Sequence, residues 1–130
     1  MRTPVFHHPA IQVRSCEFEY GVFSSARLPA GEVIERSPYL VLPSSQTDHP
    51  PLCDYVFMIS DDPKDPAHTL RAMALGWGAL FNHNNSPNVR YLSIPKRRIL
   101  EFSTTREISA GEQLFVSYGA HWWSQRGRPT

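Results

Sequence analysis

The sequence predicts a single small domain of mostly-β structure. Its 130 residues are close to the commonest domain size, and 41% hydrophobic with 19% charged residues is typical of a globular chain. Several short runs alternate apolar and polar side chains, as half-buried strands do. Twelve prolines and seven glycines separate these runs, so we expect many short elements joined by turns and no long helices.

The predicted elements follow the chain in order. Strands are expected at residues 11–14, 19–23, 33–35, 39–42, 55–59, 98–103 and 114–118. Polar, proline-rich loops are expected at 44–51 and 61–66. Residues 67–79 are predicted to hold the only helical turns, interrupted by Gly76 and Gly78.

A short sequence pattern occurs in two of these regions. Phe23-Ser24 leads on to Ala30-Gly31-Glu32, and Phe102-Ser103 likewise leads on to Ala110-Gly111-Glu112. Two interpretations remain open: a repeated strand–turn–strand unit, or the common use of Ala-Gly-Glu in turns.

Charge and cysteine content exclude several classes. The net charge of +1 gives no indication of nucleic-acid or membrane binding, and no apolar run reaches the roughly 20 residues of a membrane span. The sequence does not open on a positively charged head followed by an apolar stretch, so we expect no secretion signal and an intracellular protein of the cytoplasm or nucleus, a host nucleus included. Cys16 and Cys53 are isolated and are expected to be reduced thiols. The histidines are scattered, so no metal site is predicted.

Two stretches near the C-terminus are the most informative. Residues 82–88, NHNNSPN, combine four amide side chains, an imidazole and a proline. This is too polar and too kinked for a core segment. Residues 111–119, GEQLFVSYG, form a turn, an apolar run and a tyrosine at the strand end. Together they predict a loop of hydrogen-bonding groups beside a tyrosine hydroxyl.

These stretches resemble a SET domain, the fold of most protein-lysine methyltransferases. The similarity runs from about Val13 to the C-terminus and is greatest to the minimal stand-alone SET histone methyltransferases of viruses. It includes the runs 54–55 (DY), 72–76 (AMALG), 81–83 (FNH) and 117–119 (SYG). The resemblance implies one SET domain over residues 1–130, with a core at about 11–123 and a polar tail at 124–130. It also implies several small curled sheets, few short helices and a C-terminal pseudoknot.

The resemblance also assigns roles to individual residues. Tyr118 and Tyr55 are the expected catalytic tyrosines, with the Tyr118 hydroxyl orienting amine and methyl group. S-adenosyl-L-methionine is the expected methyl donor, S-adenosyl-L-homocysteine its product, and no metal is required. The donor-binding residues implied are Glu19, Tyr20, Phe81, Asn82, His83, Tyr118 and Trp123. The lysine channel implied is lined by Tyr55, Val116 and Trp122. Asn88 is expected to brace its loop. Two alternatives remain. Tyr55 is then an ordinary strand aromatic, and the tryptophans simply cap the core.

The chain departs from the family pattern at three positions. Glu19 replaces the first glycine of a Gly-x-Gly that cups the donor, although Tyr20-Gly21 fits. Asn85 stands where many relatives have a cysteine that works with a C-terminal zinc module, so side chains must close the channel here. Val116 replaces a tyrosine that tends to restrict the product to monomethyl-lysine, so di- or trimethylation is expected.

The partner expected is a basic peptide, such as a histone tail. Residues 44–66 hold five aspartates against one lysine, a net charge of −4, which would attract cations. The aspartates are Asp48, Asp54, Asp61, Asp62 and Asp65; a solvated loop is the alternative. The basic run Lys96-Arg97-Arg98 is expected to be solvated, with nucleic-acid contact only through nucleosomes. The resemblance further implies a homodimer, and no membrane partner.

Other functions remain open. A SET-fold module could bind donor or peptide without turnover, or the substrate could be a non-histone protein. A doubly wound methyltransferase is disfavoured because Gly76-x-Gly78 alone is too weak a signature. A metallohydrolase is disfavoured because its spaced ligands are missing.

Overall fold

Short β-strands dominate the computed structural model, which describes residues 5–17, 19–58 and 70–117. The strands are β1 (Phe6–His7), β2 (Ile11–Cys16), β3 (Glu19–Ser24), β4 (Val33–Pro43), β5 (Val56–Met58), β6 (Leu70–Ala74), β7 (Asn82–His83), β8 (Val89–Ile94), β9 (Ile99–Thr104) and β10 (Gln113–Val116). Single turns of 3-10 helix lie at Ser44–Gln46, Leu52–Asp54 and Gly78–Leu80. The mostly-β prediction is confirmed.

The larger sheet is organised around the long strand β4. Its order is β5-β6-β4-β9-β8, and β1 also pairs with β4. All of these pairings are antiparallel. The first half of β4 pairs with β9 up to Pro38, and the second half pairs with β6 from Tyr39 onward. The missing N–H of Pro38 therefore falls where β4 changes partners, which is how a proline is tolerated inside this strand.

The smaller sheet holds the two C-terminal motifs. Its order is β2-β3-β10-β7. β2 and β3 form an antiparallel hairpin, β10 runs antiparallel to β3, and β7 runs parallel to β10. A two-residue parallel strand is stabilised mainly by its surroundings, so the position of Asn82–His83 depends on the contacts around it.

Aromatic and aliphatic side chains form one core. Phe81 stacks on Phe102 with ring centroids 4.6 Å apart, and Phe57 meets Tyr91 edge-on at 4.9 Å. Leu100, Ile108 and Leu114 are fully buried beside them. Burial of such large side chains supplies the dominant favourable term in folding.

The two copies of the recurring sequence pattern form a reciprocal pair of turns. Leu28 and Ile108 exchange two main-chain hydrogen bonds, at 3.0 and 2.9 Å. Gly31 donates to the Thr104 carbonyl at 2.8 Å, and eighty positions later Gly111 donates to the Ser24 carbonyl at 2.7 Å. Both glycines have positive φ, 79° and 86°, which a side chain would strain. The repeated strand–turn–strand interpretation therefore describes the geometry.

Two predictions about local structure are wrong, and one strand was missed. Residues 70–74 form β6 and not helical turns, because Ala72 is buried between β4 and β5 and tertiary pairing outweighs helix propensity. The strands predicted at 33–35 and 39–42 are one strand, β4. Strand β8 was not predicted, since it begins inside the polar region after Asn88.

Several surface expectations concern described residues. Cys16 and Cys53 are not joined in a disulfide. Lys96, Arg97 and Arg98 are exposed in the turn between β8 and β9. In the described ranges, no helix is long and apolar enough to cross a membrane. The pseudoknot stays a prediction, because the chain after residue 117 lies outside the described residues.

Candidate functional site

The two C-terminal motifs lie side by side. Phe115 pairs with Asn82 and Val116 with His83 in the parallel ladder between β10 and β7. The Asn84 N–H donates to the Val116 carbonyl at 3.1 Å. Successive peptide groups of a strand point to alternate edges, so the N–H and C=O of His83 face away from β10, at the outer edge of this sheet.

Asn88 fastens the rest of the loop to β10. Its side-chain Oδ1 accepts the Phe115 N–H at 2.7 Å, and its Nδ2 donates to the Gln113 carbonyl at 2.9 Å. The residue is 2% exposed. These contacts confirm the expected bracing role of Asn88. Its side chain bonds the main chain of β10 as a neighbouring strand would.

The side chain of Asn82 joins three strands. Its Nδ2 donates to the Tyr20 carbonyl at 2.9 Å and to Gln113 Oε1 at 3.0 Å. These two acceptors fix the amide orientation. Among the described residues Oδ1 has no partner, so it is available to accept a hydrogen bond from a bound amino or amide group.

Gly21 is required beneath this amide network. A Cβ at Gly21 would lie 2.5 Å from Gln113 Oε1 and 3.0 Å from Asn82 Nδ2. Any larger residue would push the two amides apart. Gln113 is the contributor that sequence reasoning missed. The sequence feature that could have indicated Gln113 is its polar side chain between Gly111-Glu112 and the apolar run that begins at Leu114.

Glu19 takes a backbone conformation that favours glycine. Its φ is 81°, in the left-handed region, at the start of β3 where the hairpin turn ends. Glutamate therefore adopts, at a steric cost, a φ that glycine takes freely. Tyr20 follows with 57% exposure. The prediction that both residues contact the donor stays a prediction.

The remaining donor-site residues differ in exposure. Phe81 is 2% exposed and belongs to the core, so a contact with a ligand would come from its main chain. His83 is half-buried, with Nε2 at 2.9 Å from Asn85 Oδ1. This contact gives Asn85 a role in orienting the imidazole.

Two of the three channel residues are described. Tyr55 is 44% exposed between the 3-10 turn Leu52–Asp54 and β5, and Val116 is 1% exposed and packs in the core. Tyr118, Trp122 and Trp123 lie outside the described residues, as do the loop aspartates 61, 62 and 65. Their assigned roles therefore stay predictions.

One titratable group beside the site is shifted. The hydrogen bond from Arg106 is the main cause that lowers the pKa of Glu112, with smaller contributions from the Ser109 N–H and the Asn88 amide. Burial opposes the shift. An ionised Glu112 at neutral pH keeps the turn before β10 in place. Within the described residues, no group of three or more His, Cys, Asp or Glu side chains could hold a metal ion.

Known proteins are similar to this chain in sequence. Residues 19–119 match the family model of the SET domain. The chain is 32% identical over 128 residues to a histone-lysine N-methyltransferase of Schizosaccharomyces pombe that is specific for H3 lysine-37. That match covers 95% of this chain and 82% of the relative.

A crystal structure from Plasmodium falciparum, of a protein described as a candidate histone methyltransferase, has a similar fold. Its TM-score is 0.66 at 24% identity, over 88% of this chain and 96% of that one. At this identity the similarity shows the fold alone. The SET-domain prediction is confirmed by the family match, while the special similarity to viral enzymes stays a prediction.

Proposed function

The chain belongs to the SET-domain family of protein-lysine methyltransferases, and on that premise we propose that it transfers methyl groups from S-adenosyl-L-methionine to a lysine of a histone tail. One observation carries the proposal. The parallel pairing of β7 with β10 brings Asn82 and His83 beside the strand that leads to Tyr118. The histone assignment is supported by the activity named for the Schizosaccharomyces pombe relative.

Polar groups of the described residues support this assignment of the donor. Among those residues, Asn82 offers Oδ1 as an acceptor, and the main chain of His83 lies on the side of β7 away from β10. Close packing at Gly21 brings the Tyr20 backbone within hydrogen-bond reach of Asn82. We assign the amino-acid and adenine ends of the donor to these groups, with Glu19, Phe81, Tyr118 and Trp123 completing the site.

The proposed chemistry requires a neutral lysine amine. When bound, S-adenosyl-L-methionine supplies a methyl group on a sulfonium cation. A lysine with an ordinary pKa near 10.4 costs about 4.6 kcal/mol to deprotonate at pH 7. Tyr55, Val116 and Trp122 lower that cost by excluding water, because desolvation lowers the pKa of an amine. Tyr118 then orients the amine for in-line attack, and a strong general base is not required.

The test is methyl transfer to mixed core histones, read by intact-mass spectrometry. We expect one histone to gain one or more methyl masses with the wild-type chain and none with Tyr118→Phe. The control is calorimetric binding of S-adenosyl-L-methionine, which Tyr118→Phe should retain. Binding without transfer by the wild-type chain would indicate a non-histone substrate or a binding module. Absence of binding would contradict the proposed function.

We propose that the chain acts as a homodimer in the nucleus or cytoplasm. The outer face of the larger sheet supports self-association, because Leu40 and Leu92 lie on it with 48% and 61% exposure. Exposed apolar faces of this kind often mark interfaces. Light scattering on the wild-type chain and on Leu40→Lys tests this. A monomeric mass for both would contradict it.

A further inference from the structure

A carboxyl group lies fully buried behind the loop that precedes the donor-binding segment. Glu35 is 0% exposed in β4. One oxygen, Oε2, accepts the Trp77 N–H at 3.0 Å and the Ser37 hydroxyl at 2.5 Å. The other, Oε1, is 2.5 Å from Nδ1 of His7, and a proton on Nδ1 makes this contact a hydrogen bond. A buried carboxyl group requires such partners.

The same cluster also bonds the peptide group of Gly78 and packs against the side chain of Trp77. The Gly78 N–H donates to Ser37 Oγ at 3.1 Å. The His7 ring stacks on the indole of Trp77, with centroids 4.3 Å apart. Gly76 has φ 89°, and a Cβ there would lie 3.0 Å from Glu35 Oε2. The loop thus follows the carboxyl group closely over three consecutive residues.

The loop is directly continuous with the site. The 3-10 turn Gly78–Leu80 follows it, and Phe81 stacks on Phe102 before the chain enters Asn82–His83. Since β7 has only two residues, its own ladder bonds are too few to fix its position. The start of this segment is therefore set by the Glu35 cluster and its end by Asn88.

We propose that Glu35, with His7 and Ser37, is a positioning group for the methyl-donor site. It holds the backbone at Trp77 and Gly78, and through them the Asn82–His83 segment. The inference rests on the proposed function only for the identity of the ligand. His7 comes from β1, which precedes the matched residues 19–119. The N-terminal strand thereby becomes part of the site's support.

Two substitutions of His7 separate hydrogen bonding from stacking. His7→Phe keeps a ring against Trp77 but removes the nitrogen that contacts Glu35 Oε1. His7→Asn keeps a nitrogen donor at the Nδ1 position but removes the ring. His7 is 38% exposed in a two-residue strand, so both variants should fold. We expect His7→Phe to raise the Kd for S-adenosyl-L-methionine about tenfold, a change equivalent to one lost hydrogen bond.

The readouts distinguish positioning from simple stability. We expect the KM for peptide to stay within about twofold of wild type and His7→Asn to retain most donor affinity. A lowered Tm with unchanged donor Kd in both variants would overturn the proposal. A larger loss for His7→Asn than for His7→Phe would overturn the assignment to Glu35.

A measurement without donor separates this inference from the proposed function. Amide hydrogen exchange in the free protein should speed up in His7→Phe at Trp77 and Gly78, and also at Asn84, whose N–H bonds β10. Faster exchange confined to Trp77 and Gly78 would overturn the inference. If the wild-type chain binds no donor, the proposed function fails, while exchange at Asn84 still decides the role of Glu35.

Discussion

Asn88 and Phe115 are joined by two hydrogen bonds across 27 positions of sequence. The Phe115 N–H donates to Asn88 Oδ1 at 2.7 Å, and the Asn88 N–H donates to the Phe115 carbonyl at 3.2 Å. A loop residue thus satisfies both main-chain groups of a strand residue. This contact holds the 82–88 loop against β10.

Removing the Asn88 side chain should destabilise the fold. Asn88→Ala leaves the Phe115 N–H without its partner, and we expect a loss of about 3 kcal/mol in the free energy of unfolding. Urea denaturation measures it. Ser86→Ala, at an exposed position of the same loop, should change stability by less than about 0.5 kcal/mol. Equal effects of the two substitutions would contradict the bracing role.

Glu19→Gly should stabilise the chain. The residue has φ 81°, and a left-handed conformation costs a non-glycine residue roughly 1–2 kcal/mol. Part of this gain is lost to the greater freedom of glycine in the unfolded chain, so we expect a net gain of about 1 kcal/mol. Glu19→Ala removes the carboxylate and keeps the strain. If alanine stabilised as much as glycine, the carboxylate and not the backbone would be responsible.

The fold and the site differed in how far sequence could predict them. The adjacency of the 82–88 loop and the C-terminal strand followed from the resemblance to the SET domain, and the pairing of β7 with β10 agrees with it. Strand β6 could not be predicted from the sequence. Ala72 and Met73 favour helices in isolation and form a strand only between β4 and β5. The His7–Glu35 contact spans 28 positions, and no local pattern in the sequence indicates it.

The acid sensitivity of stability should depend in part on Glu112. Its pKa is lowered in the folded state, chiefly by Arg106, so its stabilising effect is complete above its ordinary pKa of 4.5 and fades as pH falls through the lower folded value. We expect wild type to exceed Glu112→Gln by about 1 kcal/mol at neutral pH, because the pair is partly exposed. Urea denaturation from neutral pH to pH near 3 should show the difference shrink. A difference independent of pH would contradict this.

The product should include di- or trimethyl-lysine. Val116 is a buried apolar residue, 1% exposed, and has no hydroxyl to hold a water where a second methyl group would fit. A time course on a peptide with one lysine, read by mass spectrometry, measures this at saturating enzyme. Val116→Ala is the control and should leave the product state unchanged. Monomethyl product alone from the wild-type chain would contradict the role given to Val116.

Charge in the acidic loop should set the KM for basic peptides. Reversing Asp61 and Asp62 to lysine replaces attraction by repulsion, and we expect the KM for a histone-tail peptide to rise roughly tenfold with kcat little changed. The double substitution to asparagine is the matched control and should give an intermediate KM. Added salt should reduce all three differences, since exposed charges are screened beyond about 10 Å at 0.1 M ionic strength. An unchanged KM in the lysine variant would mean that the aspartates form a solvated loop with no part in substrate attraction.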